Sequence, residues 1–153
     1  MNLLRKFLSD ELHLDPDLYI NYFIKYEKLL LDWNKKINLV SRKSDSIEDH
    51  ILNSLFFLIK YNFKNIKSLA DIGTGGGFPG IPLKILYPDI KLLLVDSIQK
   101  KVNVLKDITE KLNLKNTEVV CGRAEIISEE IKYKNKFDCV ISKAVADLDK
   151  LYE

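Results

Sequence analysis

The stretch Ser68–Pro88 reads S-L-A-D-I-G-T-G-G-G-F-P-G-I-P-L-K-I-L-Y-P, and the fold turns on how it is read. Leu69–Ile72 is a short apolar run of strand length, four glycines follow within five residues, and Ile81–Leu86 has the pattern of the first turns of a helix. A strand that ends in glycines and re-enters a helix is a ligand-binding turn, because residues without a Cβ let the backbone touch a bound molecule. Spacing tests which ligand. The dinucleotide fingerprint G-x-G-x-x-G, started at Gly73 and Gly75, requires glycine at position 78, which is Phe78. The phosphate loop G-x-x-x-x-G-K-[ST] finds Gly75 and Gly80, but Ile81 and Pro82 stand where Lys and Ser/Thr are required. What remains is Asp71-x-Gly73-x-Gly75-x-Gly77, an acid at a strand end followed by glycines at every second position.

That pattern resembles the first motif of the S-adenosyl-L-methionine (SAM)-dependent methyltransferases of the Rossmann-like class. SAM carries no pyrophosphate, so the loop need only pass closely under its methionine and ribose. A carboxylate such as Asp71 near the ammonium and sulfonium charges is favourable in a partly dry site. The alternative is a glycine-rich connector, and four clustered glycines that each lose entropy on folding at an ordered junction argue against it.

The length of 153 residues suits one ordinary domain with a hydrophobic core. At 46% hydrophobic and 30% charged, the composition is that of a soluble globular chain, not a disordered or membrane one. Twenty-four Lys+Arg against 22 Asp+Glu leave a net charge of +2, which tolerates an RNA substrate and excludes a strongly acidic surface. No apolar run approaches the ~18 residues of a membrane span. Arg5 and Lys6 interrupt Met1–Leu8 before a signal-peptide core forms, so the expected location is cytoplasmic. Cys121 and Cys139 match neither a metal-ligand spacing nor C-x-x-C, and are expected as core residues without a disulfide.

Residues 1–62 read as a helical extension. Asp15-Pro16 offers an N-cap with proline at the first helical position, and Tyr19, Tyr22, Phe23, Tyr26, Leu29, Leu30 and Trp33 then fall at steps of three and four. Such a stripe is expected to bury itself against the sheet that follows. Asp45 with Glu48 forms a second N-terminal signature, continued by Ile47, Ile51, Leu52, Leu55, Phe56 and Ile59. Residues 63–153 read as the SAM-binding domain. Strands are expected at Leu69–Ile72, Lys91–Val95, Thr117–Val120 and Phe137–Ser142, with helices at about 80–87, 98–112 and 124–131, a βαβαβαβ order that requires a parallel sheet.

Loops at the carboxyl ends of adjacent strands line one crevice in such a sheet. Asp96 closes the second strand about 20 residues after the glycines, where an acid can accept both ribose hydroxyls; its rival role is N-cap of the next helix. Ala124 and Glu125 follow the third strand and can read adenine edges, although Glu125 also suits a helix first turn. Lys143 closes the fourth strand and faces the crevice. Lys35, Lys36, Arg42 and Lys43 flank Trp33, and Lys100 and Lys101 open a helix; most of these are ordinary surface charges, a minority phosphate contacts. His50 lies beside an apolar stripe as a packing or capping residue.

Longer matches carry a closer resemblance. Trp33-Asn34-x-x-x-Asn38-Leu39-Val40, His50-Ile51-Leu52-Asn53-Ser54-Leu55, Asp71 to Leu83 with its G-F-P-G-I-P-L extension, Val95-Asp96-Ser97, Gly122-Arg123-Ala124-Glu125 and Ser142-Lys143-Ala144 together are similar to the RsmG (GidB) family. The resemblance implies a class I methyltransferase fold and methylation of N7 of one guanine in 16S ribosomal RNA, with SAM as cofactor. The implied partner is that RNA or the small-subunit particle, and the implied state is a monomer. SAM contacts carried over are Gly73, Phe78, Ala124, Glu125 and Lys143, beside Asp71, Gly75 and Asp96 from the reading above. Lys143 stands where the family usually has Arg, keeping the charge without the planar fork, and Asn53 replaces an Asp. The family continues past this length to complete a seven-stranded sheet, so the C-terminal strands are expected to be missing here. A SAM- or RNA-binding remnant without turnover is one alternative, and a nicotinamide-dependent oxidoreductase another, against which Phe78 argues.

Guanine N7 carries an in-plane lone pair and no proton, so an in-line displacement at the sulfonium methyl needs no general base. Replacing Cys121 or Cys139 by Ser or Ala is therefore expected to leave methyl transfer intact. Loss of turnover with retained SAM binding, read by a radiolabel transfer assay, would refute a base-free route.

Overall fold

The structure is a computed structural model that describes residues 1–41 and 45–143. Helix α1 (Asn2–Lys6) runs into a wider π-helical turn, Phe7–Glu11, and a single 3-10 turn, Pro16–Leu18, leads into α2 (Ile20–Asn34). After α3 (Glu48–Leu55) and a second 3-10 turn, Phe56–Ile59, strands and helices alternate. They are β1 (Ser68–Ile72), α4 (Gly80–Leu86), β2 (Lys91–Asp96), α5 (Gln99–Lys111), β3 (Thr117–Cys121), α6 (Ala124–Glu129) and β4 (Cys139–Ser142). Among the described residues no helix is long and apolar enough to cross a membrane.

The expected βαβ order yields one parallel sheet, in the order β3-β2-β1-β4. The chain steps outward from β1 to β3 and then crosses back to the other side of β1. The divergence of the crossovers between β1 and β4 makes a switch point, and crevices for ligands open there at the carboxyl ends of the strands. Register sets Ile72 between Val95 and Ser142, and Asp96 opposite Cys121, so the four strand ends lie level. β4 starts two residues later than the sequence predicts. Asp138 leaves the strand pattern because its carboxylate accepts the Lys67 and Ser68 amides, each at 2.9 Å, clamping the start of β1.

Asp15 caps as its dipeptide predicts, accepting the Asp17 amide at 3.0 Å, but what it caps is the 3-10 turn ahead of α2. The buried stripe of α2 is Ile20, Phe23, Tyr26, Leu30 and Asn34, whereas Tyr22 points to solvent. Asn34 closes the helix: its Oδ1 accepts the amides of Leu39 at 2.8 Å and Val40 at 3.0 Å, folding the chain back. The Asp45/Glu48 signature is not used. Ser46 Oγ accepts the Glu48 amide, and Glu48 Oε1 reaches across to the Leu4 amide at 2.9 Å. Phe56 and Ile59, expected on the inner stripe of α3, lie in the 3-10 turn and are exposed. Both cysteines are free thiols; Cys139 is half-buried and packs against the main core, whereas Cys121 is exposed and is not the core residue its apolar surroundings predict.

A single apolar core joins both parts of the chain. Phe23, Tyr26 and Leu30 of α2, Ile51 and Leu55 of α3, Ile81 and Leu83 of α4, Leu92 and Leu94 of β2, and Val102, Leu105 and Ile108 of α5 all belong to it. A smaller cluster on the other face of the sheet holds Ala70, Leu93, Val95, Ile127 and Tyr133. Lys84 is buried within α4, its ammonium donating to the carbonyls of Pro88 and Ile90, which ties the end of the helix to the entry of β2.

Leu94 is fully buried in β2 and touches both α4 and the core behind it. Leu94→Ala is expected to lower stability by about 2–5 kcal/mol through lost transfer energy and an unfilled cavity. Urea titration should show a lower midpoint with an unchanged slope.

Candidate functional site

Strand β1 carries Asp71 at full burial, directly before the glycine turn. Its Oδ2 accepts two hydrogen bonds, from Thr74 Oγ1 within that turn at 2.7 Å and from the Gly80 amide on its far side at 2.8 Å. The carboxylate thus closes the chain from the end of β1 to the first residue of α4. Gly80 has to be glycine, since a Cβ there would lie 2.7 Å from Asp71 Oδ2 and 2.5 Å from Leu94 Cδ2. Asp71 Oδ1 is buried without a hydrogen bond among the described residues. Burial pushes the Asp71 carboxyl up to about 6, against the opposing pull of its two hydrogen bonds and of the Lys143 charge.

Inside this closure the loop is hung from β2. The amides of Gly73 and Thr74 both donate to the Val95 carbonyl, at 2.8 and 3.0 Å. The Gly75 amide donates to Asp96 Oδ2 at 3.0 Å, while Asp96 Oδ1 accepts from the Ile98 amide at 2.9 Å. Asp96 therefore turns the chain toward α5 and binds the glycine loop at once, although the cap position of α5 itself is Ile98. Each of its oxygens keeps a second lone pair for a ligand hydroxyl. The Gly122 amide donates to the Asp96 carbonyl at 3.0 Å, which brings Ala124 at the start of α6 beside β2. Glu125 is exposed on the first turn of α6.

Gly73, Gly75, Asp96 and Ala124 are thus assembled at the strand ends. Asp71 and the Phe78 ring lie underneath, on the side of the helices. Phe78 stacks on His50, centroids 5.2 Å apart, and tilts against Tyr26 at 5.5 Å. Lys143, at the end of β4, holds its ammonium 5.7 Å from the centre of the same ring, buried and without a hydrogen bond among the described residues. Burial pulls the Lys143 pKa down, and the Asp71 charge pulls it back up. The His50 pKa is lowered by burial and then by the Lys143 charge, so His50 is a neutral ring packed under the loop.

Sequence reasoning missed three contributors. Thr74 was one more residue among glycines, yet a hydroxyl three positions after a buried acid is the signal that it folds back. The stripe of α2 predicts Tyr26 only as a buried ring; its hydroxyl donates to the Gly76 carbonyl at 2.7 Å. The partner of Trp33, Asp107 Oδ2 at 2.8 Å, lies 74 residues away and left no local sign. Around Trp33, Lys35 pairs with Asp32 and Lys36 lies over the indole, while Arg42 and Lys43 fall outside the described residues.

The cradle fits a ligand that runs along the loop and ends at Asp96. Among the described residues, a Cβ on Gly75, at φ +57°, would meet only the Gly73 carbonyl oxygen within 4.0 Å. A side chain there would fill the crevice. The family model described as rRNA small subunit methyltransferase G (GidB) matches residues 19–153. The chain belongs to this family.

Within it, the chain is 45% identical over 140 residues to Ribosomal RNA small subunit methyltransferase G of Clostridium novyi (strain NT), covering 90% of this chain and 57% of that protein. It is 43% identical over 155 residues to the protein of the same name from Clostridium botulinum (strain 657 / Type Ba4), covering 99% and 64%. The chain thus spans about three-fifths of the length of these GidB relatives. The O-methyltransferase from Bacillus cereus, solved in complex with SAH, superposes with a TM-score of 0.55 at 19% identity, over 93% of this chain and 60% of that one. That likeness establishes the fold as the Rossmann-like α/β fold of the class I methyltransferases, as the glycine motif predicts.

Asp71 provides a stability test. Its folded pKa of about 6 lies above the ordinary carboxylate value, so the folded state binds the proton more tightly. Its contribution to stability is full below about pH 4 and is lost as pH rises through about 6. Asp71→Asn removes that titration. The stability of the unsubstituted chain minus that of Asp71→Asn, from urea unfolding at several pH values, should fall by up to about 3 kcal/mol between pH 4 and pH 7.

Proposed function

We propose that this chain binds SAM at the Gly73–Gly77 loop and serves methylation of guanine N7 in 16S ribosomal RNA, acting as a cytoplasmic monomer on the RNA or the small-subunit particle. The observation that carries the reading is the junction of the Gly75 amide and the Asp96 carboxylate at the carboxyl ends of β1 and β2, in a chain of the GidB family. The names of the Clostridium relatives support the reaction class, and the SAH in the Bacillus cereus structure supports the cofactor.

In this reading Gly73 and Gly75 let the backbone pass against the methionine portion, Asp96 accepts the ribose hydroxyls, and Ala124 with Glu125 border the adenine. Phe78 supports the loop with its ring, leaving only its backbone to meet the cofactor. Asp71 acts on the cofactor through Thr74 and Gly80, and Lys143 supplies a positive charge beneath the loop. When bound, SAM supplies an electrophilic methyl group. Because guanine N7 offers a lone pair and no proton, the residues here have to bind, orient and exclude water, with no proton to remove. Nothing at the strand ends needs to be a base.

The test is incubation of the chain with isotope-labelled SAM and small-subunit particles lacking the modification, followed by mass spectrometry of the 16S RNA. Labelled 7-methylguanosine is the expected product. SAM binding without label would overturn the catalytic part of the reading, and absence of SAM binding would overturn all of it.

A further inference from the structure

Tyr26 is the one side chain of the N-terminal helices with a hydrogen bond into the glycine loop among the described residues. It is fully buried on α2, its ring against Phe78, and its hydroxyl donates to the Gly76 carbonyl at 2.7 Å. Across the same peptide plane the Gly77 amide donates to the Thr74 carbonyl at 2.8 Å. One end of this peptide is therefore held from α2 and the other by the loop itself. Such a hold has work to do here, because Gly75 and Gly77 sit at φ +57° and +98° and no Cβ restrains rotation of the intervening planes. The approach is also close. A Cβ on Gly77 would lie 2.5 Å from Ile81 Cδ1 and 3.0 Å from the Tyr26 hydroxyl. Burial, and then the Asp71 charge, push the Tyr26 pKa well above its ordinary value, so the hydroxyl remains a donor.

We propose that Tyr26 is a positioning residue of the cofactor site: by holding the Gly76 carbonyl it fixes the Gly76–Gly77 peptide plane, and α2 thereby sets the affinity of the loop for SAM. This rests on the cofactor reading above. Phenylalanine at position 26 would fill the same volume and keep the contact with Phe78. It would leave a buried carbonyl without its donor, freeing the plane to turn.

The experiment is calorimetric titration of S-adenosylhomocysteine into the unsubstituted chain, Tyr26→Phe and Phe63→Leu. Phe63 packs on Phe57 and Tyr87, at the other end of α4, and serves as a destabilised control outside the loop. Tyr26→Phe is expected to bind about 5- to 10-fold more weakly, the worth of one hydrogen bond, with Phe63→Leu unchanged. Equal affinity for Tyr26→Phe and the unsubstituted chain, or an equal loss in Phe63→Leu, overturns the inference and leaves the cofactor reading standing. No binding by the unsubstituted chain overturns both. Should Tyr26→Phe not fold, amide hydrogen exchange of the unsubstituted chain decides: the Gly77 amide should be protected, more so with S-adenosylhomocysteine, and exchange at the rate of an unstructured peptide overturns the inference.

Discussion

The carboxylate of Asp71 is what the architecture of the site depends on. A turn with four glycines has many conformations open to it, and folding has to select one. Asp71 makes the selection by drawing Thr74 and Gly80 onto a single oxygen, which brings the end of β1 and the start of α4 into contact. The choice costs something, since a buried carboxyl with one oxygen unbonded among the described residues is driven toward its protonated form. Lys143 lies close enough to oppose that drift electrostatically without bonding to it.

From this closure the remaining geometry follows by backbone contact. β1 and β2 run parallel and level, so the Val95 carbonyl meets the first two loop amides and Asp96 meets the third. β3 ends beside Asp96, and the Gly122 amide docks on its backbone. The proposed cofactor contacts thus come from three strand ends linked by hydrogen bonds that are largely main chain. Side-chain identity matters at few positions there, and what matters at the glycines is the missing Cβ.

The helices before the sheet are part of the same construction. Asn34 folds the chain back after α2, and Glu27 receives the Ile47 amide and the Ser46 hydroxyl, setting α3 against α2. Together they present Tyr26 and His50 to the ring of Phe78. The floor of the loop is therefore built in part by residues that precede it in sequence by 23 positions and more.

Much of this was legible in the chain itself. Alternation of short apolar runs with helical periodicity fixes a parallel sheet, because neighbouring strands joined by helices have no other way to pair. Glycine spacing excluded two ligand loops and left the third, and the placement of Asp71, Gly73, Gly75 and Asp96 was legible because the demand on them is local: a strand end, a tight turn, a close approach. The periodic stripe of α2 likewise gave Phe23, Tyr26 and Leu30 as buried. Which way Asp71 uses its carboxylate, that Cys121 faces solvent, that Glu48 serves Leu4 instead of its own helix, and that Tyr26 and His50 hold Phe78 were decided by tertiary structure alone. Those facts depend on which distant group arrives to fill a hydrogen bond or a van der Waals gap, and spacing along a chain carries no record of that.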